Sequence, residues 1–321
     1  MGRYLIRRLI QAIPLLILLS IFMFSLIHLL PGGPEQVLYN PHLGAEGRAA
    51  MRARFGLDDP VPVQYLKWIS RALVGDFGFS FANNQPVSQN IGQAFPNTLE
   101  LLGTAFSMAL VLAILLGVIS AVRQGTITDY ALTTISYFGI AMPTFLFGLF
   151  AQDIFGVRLH LLPVSGTSTP GVIFSNPFDT FLDHFIHLIL PATVLAGLSI
   201  AGWSRYMRSS MIEAIKQDYI RTARAKGVGP VRLLVGHALR NAVIPLITVV
   251  ALDFGQIAGG ATITEGVFAW PGMGRLFLDS LEARDFPILL AMLLIGSVFV
   301  VLFNLLADVL YAVMDPRIRY A

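Results

Sequence analysis

Five stretches of this chain run for about twenty residues or more without one charged side chain: 9–30, 101–122, 130–152, 185–204 and 287–307. At 1.5 Å of rise per residue, a helix of that length crosses ~30 Å of hydrocarbon. A sixth stretch is interrupted by one acid. Residues 242–252 are uncharged, Asp253 follows, and 254–264 are uncharged again. A carboxylate within a span costs a few kcal/mol on insertion scales, and a helix facing other helices or a watery path absorbs this. These runs predict an all-α integral membrane protein with six transmembrane helices. Composition agrees, since 55% of the 321 residues are hydrophobic and 13% are charged, about half the usual charge of a soluble domain.

The first run follows Arg3, Arg7 and Arg8. It exceeds the ~7 to 15 apolar residues of a secretory signal and runs into Pro31-Gly32-Gly33-Pro34 without a small-x-small cleavage pattern. An uncleaved anchor is therefore expected. From Glu35 to about Pro96 the composition turns polar and mixed, with a helical patch over 46–55 and turn-rich Asp58-Asp59-Pro60 and Asn83-Asn84-Gln85-Pro86. The chain thus divides into residues 1–95, the first helix with an external segment, and residues 96–321, the remaining five helices. Pro14, Pro143, Pro191 and Pro245 fall in or near the apolar runs, where neighbouring helices can satisfy the freed backbone groups; all four are expected to kink helices rather than end them.

Basic residues set the expected orientation. With the N-terminus in the cytosol, that side holds Arg3, Arg7, Arg8, Arg123, Arg205, Arg208, the basic residues from Lys216 to Arg240, Arg317 and Arg319. The opposite side holds Arg158, Arg275, Arg284 and a group in the long first loop, Arg48, Arg52, Arg54, Lys67 and Arg71, where charge is a weaker topological signal. Both termini are therefore expected to be cytosolic. The net charge of +3 is explained by this asymmetry without nucleic acid. The chain has no cysteine, hence no disulfide, thiolate metal site or cysteine nucleophile. No internal repeat is evident.

The cytosolic connection over 205–241 is too long for a simple turn. Within it, Asp218-Tyr219-Ile220-Arg221-Thr222-Ala223-Arg224-Ala225-Lys226 reads as a short helix, with Asp near its start and Lys near its end in accord with the helix dipole. Gly227 and Gly229-Pro230 stop it. Ala223 and Gly227 lie four residues apart, a small-residue strip suited to pressing into a partner's groove. From these residues alone, a solvated basic helix beside the membrane is an equal reading.

The stretch DYIRTARAKGVGPVRLLVGHALRNAVIPLIT at 218–248 resembles the signature loop of permease subunits in ABC importers of the dipeptide, oligopeptide and nickel group. Arg221, Thr222, Ala223 and Gly227 occupy the Glu-Ala-Ala-x-x-x-Gly positions of importers in general, with the Glu absent, as in the peptide-type variant. RFGLDDPVPVQY at 54–65, GDFGFSFANNQPV at 75–87, LLPVSG at 161–166 and EGVFAWPGMG at 265–274 resemble further family stretches in the same order. The resemblance implies a coupling helix that docks on a cytosolic ATPase, carried here by Asp218, Tyr219, Arg221, Thr222, Ala223, Ala225, Lys226 and Gly227. It also implies a second homologous permease subunit, two ATP-binding subunits that carry ATP and Mg, an external substrate-binding protein, and residence in a bacterial or archaeal cytoplasmic membrane. No nucleotide is expected on this chain, because Lys67, Lys216 and Lys226 are its only lysines and none stands in a Walker pattern.

Asp253 and Gln256 share a face of the fifth span and are candidates for the translocation path, with interhelical hydrogen bonding a comparable reading. A secondary transporter using Asp253 as an ion or proton site is the alternative function. Glu265, Trp270, Pro271 and Gly272 form an external loop, suited to touching a binding protein or to packing an interfacial aromatic. His184 and His187 beside Asp183 read as interfacial polar groups, and His28 as a structural residue; no metal site is expected. Neither His-Glu-x-x-His nor Gly-x-Ser-x-Gly is present, so an enzyme is not expected.

Overall fold

The computed structural model describes residues 2–29, 52, 56 and 58–314, with backbone alone at 2–6, 9, 248, 251–252, 254–260, 303–304 and 306–314. The Pro31-to-Pro34 turn, most of the 46–55 patch, Arg48, Arg54, Arg317, Arg319 and the side chains of Arg3 and Gln256 lie outside the described residues. Among those described the chain is helical, without a strand; one isolated bridge joins Phe79 and Pro86. The helices are α1 (Gly2–Leu29), α2 (Val61–Ala72), α3 (Val87–Val122), α4 (Ile127–Ala141), α5 (Thr144–Ala151), α6 (Pro177–Ile215), α7 (Asp218–Ala225), α8 (Pro230–Leu233), α9 (Arg240–Val267), α10 (Met273–Glu282) and α11 (Phe286–Met314). Wider π turns extend α5 over Gln152–Arg158 and α8 over Leu234–Leu239.

Among the described residues, α1 from Ile10, α3, and α6 through Lys216 are long and apolar enough to cross a membrane. The run 130–152 departs from its expected form, because α4 and α5 meet at a bend of 110°. Proline explains the break. Pro143 disfavours helical geometry at the residue before it, and Met142 is extended at φ −86°, ψ 126°. Pro143 therefore ends one helix and starts the next, whereas Pro14, Pro191 and Pro245 lie inside helices. α4 and α5 make a fourth span if the bent pair is counted as one. α9 covers the run containing Asp253, and α11 holds the shorter apolar helix Phe286–Leu302.

Two compact units divide the chain, one gathering Met1–Pro96 with Gly272–Leu305 and the other Asn97–Pro271. The last long helix thus belongs largely with the first, although the two are at opposite ends of the sequence. In the first unit, Phe24 and Ile27 of α1 pack with Phe286, Leu289 and Leu290 of α11. Asp285, 1% exposed, caps that arrangement. It accepts hydrogen bonds from the Ser80 hydroxyl and from the backbone N–H groups of Phe81 and Ala82, at 3.1 and 3.2 Å. A carboxylate with three such donors is a well-satisfied buried acceptor.

In the second unit, α3 carries a strip of small residues at a spacing of four: Ala105, Ala109, Ala113, Gly117 and Ala121, all buried. The same apolar core takes in Trp203, Met207 and Met211 of α6 and Leu246 of α9. Gly117 marks a close approach of α3 to α6. A Cβ there would lie 2.5 Å from Met207 Cβ and 2.8 Å from the Ser204 carbonyl oxygen. Spans pack closely only where side chains are small, since lipid tails are as apolar as the helices themselves.

Gly117→Ala is expected to force α3 and α6 apart at a cost of ~1 to 3 kcal/mol, lowering the thermal unfolding temperature of the purified transporter. Gly103→Ala, on the same helix but with nothing within 4 Å of the new methyl group, should leave it unchanged. Equal shifts in the two variants would show that the close approach at Gly117 is not needed.

Candidate functional site

The helix expected within 205–241 is α7. Asp218 stands in its first turn and Arg224 in its last. Gly227, at φ +79°, closes it: its N–H donates to the Arg224 carbonyl at 3.0 Å, and the Val228 N–H reaches back to the Ala223 carbonyl at 3.2 Å. This double closure needs the left-handed conformation that glycine adopts without strain.

Three-residue spacing gives α7 an inner face. Ile220 and Ala223 are buried, at 1% and 9% exposure, in the same core as Met211, Ala214 and Leu233. Asp218, Tyr219, Arg221, Thr222, Ala225, Lys226 and Gly227 are exposed. The expectation that Ala223 faces a partner is therefore corrected. Ile220, one turn earlier, is the only large apolar side chain on that side of a strongly amphipathic helix, and it draws Ala223 inward with it. Tyr219, Thr222, Ala225 and Lys226 are left as the outward surface.

A second group fixes this end of the bundle, and the sequence reading did not single it out. Asp129, at the start of α4 and 2% exposed, receives two bonds from Arg208 of α6, Nε to Oδ1 at 2.7 Å and Nη2 to Oδ2 at 2.8 Å. It also accepts the Ser120 hydroxyl of α3 and the Gly125 N–H. The bidentate fork orients as well as attracts. A lone Asp opening a span was the available signal, but its partner is 79 residues away.

Within the apolar region, Asp253 of α9 accepts the Trp203 indole N–H of α6 at 2.9 Å. This is the interhelical hydrogen bond that was one of its two readings. Nearer the other end, the expected external loop is partly corrected. Glu265 and Trp270 are both 0% exposed and are not surface groups. Thr98 Oγ1 donates to Glu265 Oε1 at 2.7 Å, and Trp270 Nε1 donates to the Asn97 carbonyl at 2.9 Å. The cause is the end of α9. Ala269 turns left-handed at φ +50°, and the Trp270 N–H bonds back to the Glu265 carbonyl at 2.9 Å, so the indole swings inside. Gly272 is also buried, and Pro271 alone of the four is exposed.

The histidines have protein partners. His184 Nε2 lies 2.9 Å from Glu100 and its Nδ1 3.0 Å from the Thr167 carbonyl. His187 Nδ1 is 2.8 Å from the Asp183 carbonyl, while Asp183 accepts the backbone N–H and hydroxyl of Thr169. His28 lies between the Phe24 carbonyl and Gln64, at 2.9 and 3.1 Å, the structural place expected for it.

Among the described residues the chain is all-helical, with membrane-length helices, buried polar ties between helices and a short amphipathic helix on the connection that follows α6, the arrangement of a multi-pass membrane protein. The chain belongs to the family of binding-protein-dependent transport system inner membrane components. That family's model matches residues 113–320, and the model of its N-terminal region matches residues 1–102. Over 321 residues it is 43% identical to the oligopeptide transport system permease protein AppB of Bacillus subtilis (strain 168), covering 100% of both chains. It is 38% identical over 320 residues to the glutathione transport system permease protein GsiC of Escherichia coli O1:K1 / APEC, again with 100% of both covered. A chain of the MetNI methionine ABC transporter, solved in inward-facing conformations, shares the fold with a TM-score of 0.53 at 15% identity, covering 71% of this chain and 97% of that one. The chain is thus a multi-pass membrane permease component and not itself an enzyme.

Because Ala223 is seated in the chain's own core, Ala223→Trp is expected to destabilise the subunit by overpacking, by ~1 to 3 kcal/mol. Ala225→Trp, on the outward surface, should fold as the wild type does. Fluorescence-detected size-exclusion chromatography after graded heating compares them, and equal behaviour would contradict the assigned inner face.

Proposed function

We propose that this chain is the permease subunit of an ATP-driven importer of di- or oligopeptides, forming the translocation path with a second, similar permease subunit. Full-length identity of 43% to an oligopeptide permease carries this reading. The second relative, named for glutathione, points the same way, since glutathione is itself a tripeptide. Two ATP-binding subunits in the cytosol and an external binding protein complete the proposed assembly, and the ATPases hold the ATP and Mg. The proposed location is the bacterial inner membrane. The proposed topology has six spans, α4 and α5 counting as one, with both termini in the cytosol; residues 1–95 supply the first span and the external segment, and 96–321 the rest.

Coupling is assigned to α7 with its flanks. Asp218, Tyr219, Arg221, Thr222, Ala225, Lys226 and Gly227 would meet the ATPase, while Ala223 and Ile220 anchor the helix from behind. Such a helix cannot move alone. Its inner face shares a core with Met207 and Met211 of α6, and Arg208 ties α6 to Asp129 on α4. A displacement of α7 by closing ATPases would therefore be passed to α6, α4 and α3 together, biasing the spans between two arrangements. Asp253 and Gln256 are proposed to border the path, with Trp203 holding the Asp253 carboxylate. Of the external group, Pro271 is proposed to touch the binding protein, while Glu265, Trp270 and Gly272 shape the loop beneath it.

The topology is testable directly because the chain has no cysteine. Single cysteines at the exposed positions Ser88 and Lys216 are expected to react with an impermeant thiol reagent from opposite faces of the membrane. Labelling of both from one side would overturn the six-span arrangement.

Coupling has its own test. Ala225→Trp should give a permease that assembles with its partners but loses most substrate-stimulated ATPase activity and uptake in reconstituted vesicles. Wild-type values for both would remove α7 from the ATPase interface, whereas uptake that persists without ATP hydrolysis would reopen the secondary-transporter reading, in which Asp253 serves as the ion or proton site.

A further inference from the structure

The segment after α1 contains α2, whose three sides differ in chemistry. Its inner side packs on α1: Tyr65 bonds to Ser20 at 2.9 Å, Gln64 to His28 at 3.1 Å, and the Trp68 ring lies 5.6 Å from that of Phe24. One flank carries Pro62, Leu66 and Ile69, and Leu73, the residue that caps α2 in helical conformation, continues the line; spacings of four, three and four place them along one strip of a 3.6-residue helix. Leu66 and Leu73 are 62% and 81% exposed. The other flank carries Lys67 and Arg71, and Lys67 pairs with Asp59 at 2.6 Å.

The height of α2 along α1 determines what covers the apolar strip. α1 is apolar from Ile10 to Leu29. The contacts to α2 run from Ser20 to His28, a rise of about 12 Å, and are centred near Phe24, about 7 Å short of the end of the span. Helices lying in a membrane interface sit ~5 to 10 Å below the headgroup boundary. α2 therefore lies at the level of the outer acyl chains, beside a helix that itself exposes Leu18, Phe22, Leu26 and Leu29. Tyr65 and Trp68 stand where interfacial aromatics gather, and long basic side chains such as Lys67 and Arg71 reach outward to phosphates from such a depth.

We infer that α2 is embedded in the lipid leaflet at the C-terminal end of α1, with Leu66, Ile69 and Leu73 among the acyl chains and Lys67 and Arg71 at the headgroups. Part of the segment expected to be external is thus a membrane-interface helix that braces the first span. The assignment rests on α1 as a span; neither the cargo nor the coupling reading enters it.

The test places a bimane label at Leu66→Cys, Leu73→Cys and Lys67→Cys, one at a time, in the assembled transporter with its partner subunits in phosphatidylcholine vesicles. Leu18→Cys on α1 and Ser88→Cys serve as lipid-facing and water-facing references. Brominated phosphatidylcholine is expected to quench the labels at positions 66 and 73 as it does the one at 18. Iodide should leave those two bright while quenching the labels at 67 and 88. Quenching at 66 and 73 by iodide to the level seen at 88 would overturn the proposal in favour of a water-exposed flank. Shielding from both quenchers would overturn it in favour of a protein partner on that strip.

Discussion

Hydrocarbon offers apolar helices as good a surrounding as they offer each other, so spans of this kind are held by fit and by polar ties. In this protein the fit is concentrated on α3. Ala105, Ala109, Ala113, Gly117 and Ala121 form one narrow strip, and at Gly117 there is no room for even a methyl group against Met207 and Ser204. The core around that strip holds the larger Trp203, Met207 and Met211 of α6 and Leu246 of α9, together with Leu101 of α3 itself. A small strip facing large residues lets backbones approach while leaving few gaps, and the position of α6 against α3 then determines where its C-terminal end emerges.

That emergence matters because α7 follows α6 after two residues. A free amphipathic helix of eight residues would not persist in water on its own. α7 persists because Ile220 and Ala223 are sunk into the same core and because Gly227 and Val228 close its last turn. The Asp129–Arg208 fork works on the same end of the bundle. It joins α4 to α6 with a geometry that two parallel hydrogen bonds define, and Ser120 adds the end of α3. In the proposed coupling, a helix seated this way would pass on a push that a solvated loop would absorb.

Each of the two units also uses a backbone turn to bury a polar side chain. Ala269 and Arg284 both adopt left-handed conformations, at φ +50° and +54°, which side chains other than glycine adopt at a cost of ~1 to 2 kcal/mol. Each is followed by a residue that the turn sends inward, Trp270 in one case and Asp285 in the other. Both are then satisfied, Trp270 by the Asn97 carbonyl and Asp285 by Ser80, Phe81 and Ala82. The cost of the turns is offset by burial of a full indole and by a carboxylate that organises the loop before α3.

Much of this was legible in the sequence. The long uncharged runs foretold helices, because a chain in lipid must satisfy its backbone internally, and Asp218, Lys226 and Gly227 bounded α7 through local dipole and turn chemistry. The ordered motifs pointed to the family that the comparisons show. Local signals were insufficient wherever the outcome depended on which residue came to lie opposite. Pro143 has the same local chemistry as Pro191, yet only the former breaks its helix. The face of α7 that Ala223 occupies, the burial of Glu265 and Trp270, and the partnership of Asp129 with Arg208 were decided by tertiary structure, since each depends on which residues of other elements came to lie opposite.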